Sequence, residues 1–384
     1  MNIKPLLLLA ALSLPAMAAP QFFFGDPPDE THPWAQHDHN RPQPPRVEPA
    51  AKLGGPPSDA IVLFDGTEKS FTKNWKHSND RRRADWIFKD GAMQSMRGAG
   101  YIQTIREFGD IQLHVEWAAP SEVQGSGQGR GNSGVFLSGK PEVQVLDNYD
   151  NPTYPDGTAG AIYGIMPPMA NALKGPGEFQ SYDIIYRRPV YKDGRVLDEG
   201  SMTVICNGVV IQDSTPLDGG GGYRKRTAPK SGNIPDKGPL KFQDHGNPVQ
   251  FRNVWVRELR KRPSDGGTDG RLSKEATATK RAENAKMMLD QAKDAEGLEK
   301  LFKTMESLVY KYDEKVFAEA STMADAYVAE LKATGDKLDS KKNDVVGTYR
   351  AVKYLTDHNL VPKPMPAFKE LEKIMLDKGW KKGR

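Results

Sequence analysis

The stretch "IQLHVEWA", residues 111–118, decides the fold class. Ile111, Leu113, Val115 and Trp117 alternate with Gln112, His114 and Glu116. Successive side chains of a strand point to opposite faces, so this is a strand with one apolar and one polar face. The same texture spreads outward on both sides. "AIVLFDG", "DWIFKDGAMQSM", "YIQTI", "SGVFLSG", "QSYDIIYRR", "SMTVICNGVVIQDS" and "VQFRNVWVREL" are rich in aromatic and β-branched residues and are cut by Gly, Asn, Asp and Pro. The pairs Asp90-Gly91 and Asn207-Gly208 predict two-residue hairpin turns, because both central residues must take positive φ. About ten to twelve such strands, with no helical period between them, predict a mainly β domain over 59–262: an antiparallel β-sandwich or jelly roll.

The flanks read differently. Residues 1–19 have Lys4, an apolar run from Leu6 to Leu14 and the small-x-small site Ala16-Met17-Ala18. This is the pattern of a secretory signal, and the run is too short to span a bilayer. A periplasmic or secreted protein is therefore expected. Residues 20–58 are so rich in proline that neither helix nor central strand can form, and a disordered lead is expected. "RPSDGGTDG" (262–270) reads as a linker by composition, with the linker placed at 263–270. Beyond it, 271–384 is rich in Ala, Lys and Glu with apolar spacings of three and four: Leu298, Leu301, Phe302 and Met305, then Phe317, Ala320, Ala324 and Tyr327. An α-helical accessory domain follows, with shorter helices near 341–357 and 366–378 and a surface available to a protein partner.

A length of 384 residues suits two domains, and a net charge of +4 with both signs mixed throughout does not point to a nucleic-acid partner. Cys206 is the single cysteine, so no internal disulfide is possible and stability must come from the core.

Chemistry concentrates in "KPEVQVLDNYDN", residues 140–151. Val143 and Val145 point one way; Glu142 and Gln144, with Leu146 after them, point the other. A one-residue bulge after Gln144 would bring Asp147 to the same side. Sandwich glycosidases of the laminarinase type use a similar Glu-x-Asp-x-x-Glu spacing, but here the middle residue is Gln and the last Asp, which weakens a two-carboxylate mechanism. Upstream, "GSGQGRGNSGVFLSG" (125–139) has Arg130 and Asn132 as donors and lacks the Gly-Lys-Ser/Thr of a phosphate loop. "GPLKFQDHGNPVQFRNVWVREL" contributes Gln243 and His245, with Arg252 on the returning strand; His245 can act as base, acid or metal ligand near neutral pH. Tyr163 lies in a long loop of the kind that stacks on sugar rings. The plain alternatives are cross-strand hydrogen bonding for Glu142 and Gln144, and a structural turn for His245.

Taken together, "LFDGT", "DWIFKDGAM", "YIQTIREFGDIQLHVEW", "NSGVFLSGKPEVQVLDN", "GAIYG", "CNGVVIQD" and "LKFQDHGNPVQFRNVWVREL" resemble the 3-keto-disaccharide hydrolase domain family, in that family's order, over about 59–260. The resemblance implies a concanavalin-like jelly roll with a sugar cleft on the concave face. It also implies cleavage of glycosides already oxidised to a ketone at ring carbon 3. The family often shows Trp-Asn where this chain has Phe179-Gln180, and "GGGGYRKRTAPKSGN" (219–233) looks like an enlarged loop; both bear on substrate choice. A ketone at carbon 3 acidifies the proton on carbon 2, so one base, one enolate-stabilising group and one proton donor suffice. Glu142 or His245 is the expected base, and Asp147 the residue that orients a partner. Arg130, Asn132, Gln144, Tyr163, Gln243 and Arg252 are expected to bind substrate. No cofactor is required, although Glu142, Asp147 and His245 could instead hold a divalent metal. The rival reading is a non-catalytic carbohydrate-binding module, since fold alone does not decide function.

Overall fold

The computed structural model describes residues 24–217, 221–226 and 234–380. The expected signal at 1–19 and most of the 219–233 loop lie outside them. The chain divides into two compact units, Pro45–Asp269 and Met1–Pro44 with Gly270–Arg384.

The first unit is a sandwich of two antiparallel sheets. The larger, of eight strands, runs Val209–Pro216, Ser201–Cys206, Gln180–Arg187, Ile111–Ala118, Gln250–Glu258, Ala92–Gln94 and Ile87–Lys89, with Ile61–Phe64 also paired to Gln250–Glu258. The smaller, of five, runs Trp75–His77, Ile102–Thr104, Lys241–Phe242, Ser133–Phe136 and Glu142–Val145. Between them lies one core that includes Leu113, Val115, Trp117, Tyr182, Ile184, Val135, Val143 and Val145. Phe242 of the small sheet stacks on Phe251 of the large one at 4.3 Å between ring centres, and this contact joins the layers. Both expected hairpins form: Lys89 pairs with Ala92 and Cys206 with Val209. Their turn residues take positive φ, 52° and 75° at Asp90 and Gly91, 51° and 83° at Asn207 and Gly208.

The alternation in Ile111–Ala118 has one exception, because His114 on the polar face is buried. Residues of the proline-rich lead cover it. The Gly54 carbonyl accepts from Asn253 Nδ2 at 2.8 Å and from Trp255 Nε1 at 3.0 Å. His114 stacks on Trp255 and holds Asp183 at 2.7 Å. Burial opposes a charge on His114, but the bond to Asp183 and the proximity of Glu116 outweigh it, and its pKa rises to about 9. Glu116 is held at about 2, first by His114 and then by Asn253 and Arg252.

Among the described residues the second unit contains five α-helices: Lys274–Asp294, Gly297–Tyr310, Glu314–Ala333, Lys342–Asp357 and Ala367–Asp377. Ser273 caps the first by accepting from Ala276 N. Leu301, Phe302, Met305, Phe317, Ala320, Ala324 and Tyr327 are buried in its core, as their spacing predicts. None of the described helices is long and apolar enough to cross a membrane.

The lead departs from expectation in both units. In the sandwich unit Gly54 is bonded to the large sheet through Asn253 and Trp255. In the helical unit Phe24 and Ala35 join the core, Trp34 packs edge-on against Tyr310, and the Tyr310 hydroxyl donates to Asp38 at 2.6 Å. Proline forbids regular hydrogen-bonding but not packing. Aromatic anchors and carbonyl contacts fix an extended segment without secondary structure.

Candidate active site

Sheet register places the site. In the small sheet Gly134 lies opposite Gln144 and Phe136 opposite Glu142. Val135, Val143 and Val145 point into the core, so Gly134, Phe136, Glu142 and Gln144 occupy the other face. Gly134 has a specific reason to be glycine: a Cβ there would sit 2.0 Å from Glu142 Oε1. The missing side chain lets the carboxylate lie across the neighbouring strand.

Above this face is a cavity of about 640 Å³. Its floor holds Glu142 and Gln144; Gln243 and His245 line it from the adjoining strand and turn; Tyr101, Tyr154 and Tyr163 add phenol rings. Gly221, Gly222 and Tyr223, in a short hairpin, line it as well. That hairpin belongs to the loop that looked enlarged in the sequence. A 640 Å³ cleft with a few convergent polar groups is of the size that takes small organic ligands.

The Glu142 carboxylate accepts no hydrogen bond among the described residues, although the Glu142 carbonyl accepts from Tyr163 N at 3.0 Å. Removal from water, with no cation or donor opposing it, raises its pKa to about 8. The hydroxyls around it are ordered. Gln243 Nε2 donates to the Tyr101 hydroxyl at 2.5 Å, which leaves that O–H proton for another acceptor. The Tyr154 and Tyr163 hydroxyls bond each other at 2.7 Å. Gln144 Nε2 donates to Gln128 Oε1 at 3.0 Å, and Asn132 Nδ2 to the Gln128 carbonyl at 2.8 Å. The side-chain oxygens of Gln144 and Gln243 are buried and find no partner among the described residues.

Of the residues singled out in the sequence, Glu142, Gln144, Asn132, Tyr163, Gln243 and His245 line this cleft. Three do not. The strand ends at Val145 without a bulge, Leu146 turns into the core, and Asp147 leaves the cleft. Its buried carboxylate takes a bidentate grip from Arg130, at 2.7 Å from Nε and 3.2 Å from Nη2. Asp147 and Arg130 therefore face a separate depression. Arg252 lies on the outer face of the large sheet, 2.6 Å from Glu116 and over the Phe179 ring. The expected metal set of Glu142, Asp147 and His245 does not converge, since Asp147 is committed to Arg130. Among the described residues no three His, Cys, Asp or Glu are grouped to hold a metal. Tyr101, Tyr154 and Gln128 escaped sequence reasoning. Tyr154 sits between Thr153 and Pro155 in a loop, a placement typical of exposed rings that meet ligands, and this signal was available.

The fold and site are thus a two-layer jelly roll with a polar cleft on one sheet, holding among the described residues one carboxyl raised by burial, and the comparisons place such a chain among glycoside-cleaving enzymes. The sequence profile of the 3-keto-alpha-glucoside-1,2-lyase-like domain matches residues 59–257, and the chain belongs to that family. It is 25% identical over 244 residues to a 3-keto-disaccharide hydrolase of Bacteroides thetaiotaomicron, covering 52% of this chain and 78% of that one. Among solved structures it is similar to a protein of Parabacteroides distasonis named as a candidate glycosyl hydrolase, with 44% identity and a TM-score of 0.53 over 57% of this chain and 93% of the other.

Proposed function

We propose that this enzyme cleaves glycosides carrying a ketone at ring carbon 3, by elimination followed by hydration. Glu142 in its ionised form takes the proton from carbon 2, which the adjacent carbonyl acidifies. The electron pair moves to the ketone oxygen as an enolate, then returns to expel the oxygen on carbon 1. His245, exposed at the cleft, supplies a proton to that leaving oxygen. Water then adds at carbon 1 and a proton returns to carbon 2, so the net change is hydrolysis. The Tyr101 hydroxyl, its oxygen already engaged by Gln243, has a proton to offer the enolate.

The observation that carries this reading is the solitary carboxyl. Glycosidases that act on unoxidised sugars need two carboxyl groups flanking the bond. Among the described residues Glu142 is the one carboxyl in this cleft, because Asp147 is tied to Arg130 outside it. An elimination needs one base, and a pKa of about 8 suits a group that both removes and returns a proton near neutrality. Assay of the purified chain on a disaccharide and on its 3-keto derivative tests the proposal. Turnover of the oxidised substrate alone is expected; equal turnover of both would overturn it. The signal-like N-terminus supports export to the periplasm or beyond.

A further inference from the structure

Beside the cleft is a second depression of about 340 Å³. The two are separated by a single residue step in three places. Gln128, Asn132 and His245 line the cleft, while their chain neighbours Gly129, Gly131 and Gly246 line the depression. Consecutive Cα atoms are about 3.8 Å apart, so at each of these places the two spaces lie one backbone step from each other.

The depression is rich in hydrogen-bond donors. Arg97 lines it, is exposed, and makes no ion pair among the described residues. Arg130 spends Nε on Asp147 and Nη2 on Asp147 and the Tyr149 carbonyl, which leaves Nη1 uncommitted among those residues. Asn247 is already satisfied: its side-chain oxygen accepts from Gly131 N at 2.9 Å. The exposed Glu122 is the acidic side chain of the rim that is not paired to arginine. The loop that bears Arg97 is held in place. The amides of Gly98 and Gly100 both donate to Asp244 Oδ2 at 2.9 Å, and Asp244 Oδ1 receives Gly246 N at 2.8 Å. One carboxylate thus ties the loop bearing Arg97 to the turn bearing His245.

We infer that this depression is a subsite for an acidic sugar, a unit whose carboxylate is received by Arg97 with help from Arg130 Nη1. The inference builds on the glycoside reading of the neighbouring cleft, and it names the class of leaving group that cleft serves: a uronate or similarly acidic ring. Guanidinium is suited to planar carboxylate recognition, and an exposed charge pair of this kind is worth about a fivefold change in affinity.

Binding without turnover tests it. Methyl glucuronide and methyl glucoside are titrated into the wild-type chain and into Arg97→Ala by calorimetry at low salt, with circular dichroism confirming that the variant is folded. The expected result is about fivefold tighter binding of the glucuronide by the wild type. That preference should disappear in Arg97→Ala. Equal binding of the two sugars by the wild type, or a preference that survives Arg97→Ala, would overturn the subsite. Because no 3-keto substrate is used, failure of the elimination mechanism would leave this result readable on its own.

Discussion

Replacing Glu142 by Gln should make the protein more stable and inactive at once. The carboxyl ionises near 4.5 in the unfolded chain and holds its proton until about 8 in the folded one. Between those values the unfolded state binds fewer protons, so rising pH favours unfolding. The loss begins near pH 4.5, grows to about pH 8 and is constant above. At ~1.4 kcal/mol per pH unit the full difference is up to about 5 kcal/mol. An isosteric amide has no charge to desolvate. Glu142→Gln should match the wild type at pH 4 and exceed it progressively toward pH 9. For a unit of this size the gap would reach about 10 °C in melting temperature. In the same variant kcat on a 3-keto disaccharide should fall by about 100-fold or more, the usual loss on removing a general base. Wild-type kcat/KM should rise with pH through about 8. Parallel stability curves for the two proteins would show that the carboxyl is not desolvated. Activity within tenfold of wild type would remove Glu142 from the chemistry.

Two further outcomes follow from the ion pairs. Asp147→Ala leaves Arg130 partly buried without its partner and should cost about 3 kcal/mol in urea unfolding, while kcat on a neutral 3-keto disaccharide stays within a few-fold of wild type. His114, raised to about 9 from 6.5, contributes stability that is complete below pH 6.5 and lost as pH climbs through 9, about 3 kcal/mol in all. In the Glu142→Gln background, where the other alkaline loss is gone, melting curves should show this decline. His114→Gln should abolish it.

How far the sequence reaches depends on the range of the physics involved. Period-two alternation in Ile111–Ala118 and the Asp-Gly and Asn-Gly turns are local, and they fixed strands, hairpins and the sandwich without coordinates. The helix spacings through 298–327 were equally legible. Glu142 and Gln144 were found because alternation within one strand tells which residues share a face. Asp147 was misplaced because that argument stops where the strand stops, and Arg130, 17 residues upstream, is what captures it. Arg252 was misplaced for a related reason. Alternation separates the two faces of a sheet but does not say which sheet of a sandwich borders the cleft.

By itself, then, the chain determined its strands, its helices and the polar face of one strand, because these follow from the backbone geometry of neighbouring residues. Tertiary structure alone decided that the Glu142 carboxylate has no partner among the described residues while Asp147 has one, that parts of the lead join each unit, and that Asp183 and Glu116 raise the pKa of His114 beneath Gly54. Desolvation and ion pairing depend on what long-range folding brings within a few ångströms. No spacing along the chain encodes that distance.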